Sequence, residues 1–459
     1  MEQENQQKVH FIAIGGVIMH NLAITLQKKG YRVTGSDDEI FEPSYSRLKN
    51  VGLLPQEIGW HVDRITPDLD AVILGMHARE DNPELAKARE LGLKIYSYPE
   101  YIYEQSKDKQ RIVIAGSHGK TTISSVIIHV LKYLNRQFDY LVGASVEGFD
   151  TMVKLSDAPV IIIEGDEYFT SPLDKTPKFL KYQHHIGLIS GISWDHINVY
   201  PTYDDYVKQF DAFADATPKA GTLFYSESDP MAIVICSKER KDVTIVEYKT
   251  PKHKIRKGIT NLIDQDGNEH PLKVFGKHNL MNISGAFQVL KKIGVTNEEF
   301  FKAIEHFSGA SNRLQLLAEG NDTLVYKDFA HAPSKVEATT MALKEQYPDR
   351  NLVACLELHT FSSLNRNFLN QYADTMNYAD LPIVYFNPKT IAHKRLENIT
   401  ENDIIESFST KNLKVFQNIR ELEQFLLKQN WYNTNLLMMS SGNFDGLNLN
   451  ELSKKIANK

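Results

Sequence analysis

The chain has 459 residues, a formal net charge of −6, 42% apolar and 24% charged residues, and two cysteines. That length suggests about three domains, the composition is that of an ordinary globular chain, and the mild acidity excludes a basic nucleic-acid surface. Cys236 and Cys355 lie in apolar stretches and read as buried thiols, since two cysteines build neither a disulfide framework nor a CxxC metal site. The polar start MEQENQQK leads straight into a strand, so neither a signal peptide nor a membrane span is expected, and the cytoplasm is the expected location.

From residue 9 to 106, short apolar runs alternate with helical patterns. VHFIAIGG reads as a strand, NLAITLQKKG as a helix ending at Gly30, YRVTGSD and AVILGM as further strands, and ELAKARELG as a helix before LKIYSYPEYI. A second α/β unit opens at RIVIAG and includes the strands APVIIIEGD and HIGLISGI. A third begins near TLVYKDF and includes NLVACLEL, PIVYF and NLLMMSSGN. Alternation of this kind predicts parallel sheets with crossover helices. The boundaries fall near residues 107 and 316.

The chemistry concentrates at the ends of these strands. Gly15-Gly16 follows the first strand, and Asp37 and Asp38 follow the second. This layout suits a dinucleotide or a UDP-sugar pyrophosphate, with the acid at a ribose hydroxyl, although GGVIMHNLA lacks the third glycine of GxGxxG. A turn with a purely structural role is the alternative. The strongest signal is Gly116-Ser117-His118-Gly119-Lys120-Thr121-Thr122, between an apolar strand and a helical stretch. Its backbone amides and helix N-terminus favour phosphate, Lys120 reaches the terminal phosphate, and the Thr121 hydroxyl suits Mg²⁺. Lys120 is expected to supply charge without core packing, so Lys120→Ala should leave the fold intact. Only two residues separate the glycines, against four in the usual P-loop, a shorter form typical of ligases that build acyl phosphates.

Glu164, Asp166 and Glu167 crowd three carboxylates at a strand's carboxyl end, a cluster that favours a cation such as Mg²⁺. His196, in SWDHINVYP, reads as a further metal ligand or phosphate contact, or by itself as a structural histidine. His278, Asn279 and Asn282 start a helix, the two asparagines on one face, where they suit an adenine edge or a phosphate; capping by Asn279 is the alternative. Arg313 suits a bidentate phosphate contact, and Asp328 and His331 follow another strand.

Taken together and in order, over essentially the whole chain, these pieces resemble the Mur ligases, the ATP-dependent amide-forming family of peptidoglycan assembly. GSHGKTT resembles that family's ATP loop, EGDEY its metal-binding acid, WDH its histidine, KHNLMN its HNxxN motif, and Arg313 with DFAHAP its arginine and DxxHxP segment. The resemblance implies an α/β fold of three domains: a Rossmann-like UDP-sugar-binding domain over 1–106, a central P-loop ATPase domain over 107–315, and a Rossmann-like domain over 316–459 that brings the amino substrate. It implies ATP at Gly116, Ser117, His118, Gly119, Lys120, Thr121, Thr122, His278, Asn279, Asn282, Arg313, Asp328 and His331. It implies Mg²⁺ at Thr121, Glu164 and His196, and catalysis by Lys120, Glu164, His196, Arg313 and Asp328. A UDP-sugar is implied at Gly15, Gly16, Asp37, Asp38, His77 and Asn82.

GVIMHNLA and EDNPELAKARELG resemble the members that take UDP-N-acetylmuramate itself. One such class adds L-alanine; the other, the murein peptide ligases, adds the recycled tripeptide L-alanyl-γ-D-glutamyl-meso-diaminopimelate. Thirty-two positions separate Glu164 from His196, and EYFTSPLDKTPKFLKY is similar to the peptide-ligase pattern through Tyr168, Asp174, Lys175, Lys178, Phe179 and Tyr182. The expected activity is therefore the tripeptide ligase, with Tyr168, Lys175, Lys178 and His359 as candidate peptide contacts and L-alanine addition as the alternative. The chain departs from the pattern at Gly191, Ser193, Ala332 and LELHTFSSL, where His359 replaces an arginine. A non-catalytic UDP-sugar and ATP-binding regulator is disfavoured by the intact Lys120–Thr121–Glu164–His196 set, and a folylpolyglutamate-type ligase by the N-terminal unit.

Overall fold

A computed structural model of the protein describes residues 6–143, 149–194, 199–310 and 313–459. β1 (Lys8–Ile12), β2 (Arg32–Ser36), β3 (Ala71–Leu74) and β4 (Ile95–Ser97) form a parallel sheet in the order β2-β1-β3-β4. The helix Val17–Lys28 starts immediately after Gly16, earlier than the NLAITLQKKG stretch suggests, so the glycine turn and the helix N-terminus are one feature.

The second sheet comprises β5 (Gln110–Ala115), β6 (Asp139–Leu141), β7 (Val153–Lys154) and β8 (Val160–Glu164). A hairpin of β9 (Phe169–Ser171) and β10 (Asp174–Pro177) follows β8, and β11 (Ile186–Ile189), β12 (Thr222–Ser226) and β13 (Thr244–Tyr248) complete the sheet. The order is β13-β12-β11-β5-β8-β6-β7, parallel except for β7. β5 and β8 read as continuous apolar runs because both sheet faces are covered. These two sheets lie in one compact unit, Met1–Ile192, Asp204–Tyr248 and Gln288–Ile293. Within it, the Thr25 hydroxyl donates to the Val153 carbonyl at 2.8 Å and the Met152 N–H to Asn21 Oδ1 at 3.1 Å.

The second unit, Ser193–Tyr203, Lys249–Phe287 and Gly294–Lys459, holds a small antiparallel sheet of β14 (His253–Arg256), β15 (Ile259–Ile263) and β16 (Glu269–Leu272). It also holds β17 (Gln315–Glu319), β18 (Leu324–Asp328), β19 (Asn351–Leu358), β20 (Leu381–Phe386), β21 (Lys414–Phe416) and β22 (Thr434–Met439), ordered β17-β18-β22-β19-β20-β21. Along β19, Leu352, Ala354, Leu356 and Leu358 face one apolar cluster while Val353 and Cys355 face another, the two-residue alternation of a strand covered on both sides. Burial pushes the Cys236 thiol up to about 12 and raises Cys355 as well. Among the described residues no helix is long and apolar enough to cross a membrane.

Candidate functional site

β5 runs into the turn at Gly116, whose φ of 130° lies in the region open to glycine, and a Cβ there would sit 2.2 Å from Ser190 Oγ. Ser117 donates to the Gly191 carbonyl through its N–H at 2.9 Å and its hydroxyl at 3.0 Å, and Ser190 Oγ donates to the His118 carbonyl. The end of β11 thus fixes the loop, which opens at Gly119 (φ 77°) into the helix Lys120–Tyr133. No side chain caps that helix, so its first-turn N–H groups are the donors an anion meets. Gly191 is also a close approach: a Cβ there would lie 3.3 Å from Asp229 Oδ2, which accepts from the Ile192 N–H at 2.7 Å.

Lys120 Nζ lies 2.6 Å from Glu167 Oε2, with 1% of the Glu167 side chain exposed, and the Tyr206 hydroxyl donates to Glu167 Oε1 at 3.3 Å. Burial alone would lower the Lys120 ammonium, but Glu167, Asp166 and Glu164 outweigh it and hold it above the usual lysine value. Glu164, at the end of β8, accepts from the Thr121 hydroxyl at 2.8 Å and from the Gly143 N–H at 2.9 Å. Asp166 pairs with Lys178 at 2.7 Å. The three clustered carboxylates take separate partners: Glu167 and Asp166 each meet a lysine, while Glu164 meets two neutral donors and keeps its charge for a cation. Thr121 Oγ1 and Glu164 are hard oxygen donors within one hydrogen bond of each other, a donor set that fits Mg²⁺ beside phosphates. His196, the third expected ligand, lies outside the described residues.

Around the 169–177 hairpin, most of the residues that match the peptide-ligase pattern are taken up in internal contacts. Lys178 sits between the Tyr98 and Tyr168 rings, 5.7 and 5.6 Å from their centroids, besides pairing with Asp166. Asp174 pairs with Lys181, and Phe179 and Tyr182 are fully buried. Lys175 remains exposed.

At the first glycine turn the Gly15 N–H donates to Asp37 Oδ2 at 2.7 Å, while the buried Asp37 Oδ1 has no partner among the described residues. Burial raises this carboxyl to about 6, against the pull of the Gly15 N–H. Asp38 and His77 are exposed. Asn82 is spent as a helix cap, its Oδ1 accepting from the Glu84 and Leu85 N–H groups at 3.0 and 3.1 Å.

In the second unit, Asp328 ends β18 and accepts from the Leu314 and Ala330 N–H groups, each at 2.6 Å. Burial raises its carboxyl, with Arg313 opposing, and the Arg313 guanidinium lies 4.8 Å from the Phe329 ring centroid. His331 Nδ1 contacts the Phe329 carbonyl at 2.8 Å, and Ala332 begins the next helix without a side-chain cap. Asn279 does not cap: its Nδ2 donates to the Phe275 carbonyl at 2.9 Å, inside the helix Lys277–Lys292 that also carries His278 and the half-buried Asn282. One acid, Glu167, was named without its partner, and another, Glu357, escaped the sequence reading. Glu167 was one of three, with nothing to say which would take Lys120. Glu357, a lone carboxylate in the apolar run NLVACLEL, accepts from the Phe444 N–H at 2.8 Å and from the Ser440 hydroxyl, beside His359 at 3.9 Å.

A phosphate loop whose threonine meets a strand-end carboxylate defines an ATP-using enzyme of the α/β class. Residues 8–110 match the model of the Mur ligase family catalytic domain, 114–290 the Mur ligase middle domain, and 312–442 the Mur ligase glutamate ligase domain. UDP-N-acetylmuramate–L-alanine ligase of Caldicellulosiruptor bescii is 32% identical, over 82% of this chain and 83% of that one. Its counterpart in Carboxydothermus hydrogenoformans is 29% identical, over 97% and 96%. Among solved structures, a UDP-N-acetylmuramate–alanine ligase from Thermotoga maritima aligns with a TM-score of 0.69 at 20% identity over 98% of both chains. A murein peptide ligase from Psychrobacter arcticus aligns with a TM-score of 0.66 at 21% identity over 99% of both. The chain belongs to the Mur ligase family of ATP-dependent amide-bond-forming ligases of peptidoglycan synthesis.

Proposed function

We propose that this protein joins UDP-N-acetylmuramate to L-alanine, consuming ATP through an acyl phosphate. The observation that carries the reading is the Gly116–Thr122 loop with Thr121 on Glu164. The sequence relatives that cover most of the chain and bear the L-alanine name support the choice of amine. The domains in this reading are 1–106, 107–315 and 316–459, and substrates of this kind place the reaction in the cytoplasm.

The lactyl carboxylate attacks the γ-phosphorus of ATP, the bond to the bridging oxygen breaks and ADP leaves. The amine nitrogen then attacks the acyl carbon, phosphate departs and the amine gives up a proton. Lys120 and the loop amides neutralise the transferring group, which positions and stabilises charge without a covalent enzyme step. Mg²⁺ on Thr121 and Glu164, with His196, would supply further neutralisation at the phosphate oxygens. Arg313 and Asp328, with His331, His278, Asn279 and Asn282, complete the proposed nucleotide set. Gly15, Gly16 and Asp37 receive the UDP-sugar, with Asp38 and His77 at the rim.

A second reading, tripeptide addition, is favoured by the hairpin insertion and its exposed Lys175. The test is phosphate release, with UDP-N-acetylmuramate and ATP saturating, for L-alanine and for L-alanyl-γ-D-glutamyl-meso-diaminopimelate. A higher kcat/KM for L-alanine is expected. A higher value for the tripeptide, falling about tenfold in Lys175→Ala as one charge-assisted contact would, installs the second reading. Release with neither amine overturns both.

A further inference from the structure

The central sheet has a second polar end. The strands β5, β11 and β12 begin at a cavity of about 470 Å³, whose lining includes Lys107, Lys109, Lys219, Lys292, His185 and Thr222. The phosphate loop lies at the other end of β5, roughly 20 Å away at the usual rise per residue.

The cations differ in how far they are committed. Lys109 is held by Asp139 at 3.2 Å and by the carbonyls of Ser156 and Ala158 at 2.6 and 2.8 Å, so it shapes the wall. Lys107 pairs with Glu104 at 2.7 Å across the surface. Lys219 is 86% exposed and reaches Asp242 only at 3.8 Å. Lys292 is exposed, with no ion-pair partner among the described residues. Asp108 is the one acid in the lining, against four lysines.

Two neutral groups add direction. Thr222 is 1% exposed, and its hydroxyl has no hydrogen-bond partner among the described residues. A buried hydroxyl left in that state costs free energy that a ligand oxygen would recover. The Arg111 N–H donates to His185 Nδ1 at 3.1 Å, which leaves the ring proton on Nε2 as a donor.

We propose that this cavity is a second anion site, for a small phosphorylated molecule bearing at least two negative charges. Its volume exceeds a single phosphate and lies within the range of small-molecule pockets. Lys219 and Lys292 provide two separated positive ends, and Thr222 and His185 provide hydrogen bonds to the oxygens between.

The probe is inorganic pyrophosphate, titrated calorimetrically into the full chain with the phosphate loop already saturated by ADP. One further equivalent should bind. Its Kd should rise at least tenfold in the double variant Lys219→Glu, Lys292→Glu, and several-fold in Thr222→Val. Both lysines are exposed, so charge reversal leaves the core alone, and an unchanged ADP Kd verifies the fold. No binding once ADP is present, or undiminished binding by the double variant, overturns the proposal.

Discussion

Lys120 shows how much a single partner changes an expectation. From the sequence, its removal should spare the fold. In the structure it neutralises Glu167, a carboxylate that is 1% exposed. Lys120→Ala should therefore abolish phosphate release and also cost about 3–5 kcal/mol of stability, because an unpaired buried charge is left behind. Adding Glu167→Gln should restore most of the melting temperature and none of the activity; a single variant as stable as the parent would show that the pair does not contribute. Asp37 carries a pH signature. Its folded-state pKa of about 6 lies above the ordinary aspartate value of 3.8, so its contribution to folding is largest below 3.8 and is lost as pH rises through 6. A ligand hydroxyl that donates to the carboxylate reverses that penalty. UDP-N-acetylmuramate should bind more tightly as pH rises from 5 to 7, and Asp37→Asn should bind weakly with a flat profile. A parent profile as flat as that of the variant removes Asp37 from the site.

The strand–loop–helix element is set by backbone as much as by side chains. Gly116→Ala places a Cβ against Ser190 Oγ at a φ of 130°, so it should lower both melting temperature and kcat, the latter by two orders of magnitude or more if a misplaced loop has its usual cost. Normal turnover by this variant would show that the loop tolerates the shift. This element was legible because a doubly covered parallel strand must be apolar throughout and a phosphate turn needs its glycines. β8, β11, β18, β19, β20 and β22 were legible for the same reason. The short strands β6 and β7, the β9–β10 hairpin and the exposed β14 carry no such run and went unread, and so did the parallel strands β12 and β13, whose apolar runs are too brief to stand out. Side-chain pairing was the least visible part. EGDEY names three acids in a row, but only the folded chain assigns Glu164 to Thr121, Asp166 to Lys178 and Glu167 to Lys120.

On the scale of the molecule, three α/β units were expected; among the described residues three parallel-dominated sheets occur beside the small β14–β16 sheet and the β9–β10 hairpin, and compactness groups the first two of those three into one unit. The hydrogen bonds from Thr25 and to Asn21 are long-range in sequence, so no local pattern announces them. The two cysteines have a practical consequence. Cys236 belongs to the first unit and Cys355 to the second; both are buried, with thiolate formation suppressed by desolvation. The folded protein should give no fast-reacting thiol with a colorimetric disulfide reagent at pH 8, and two after denaturation; one or more in the native state would contradict the burial. With this silent background, a single cysteine introduced on each unit's surface takes a fluorophore or spin label without further engineering. A chain labelled in this way becomes its own ruler, reporting inter-unit distances through the catalytic cycle.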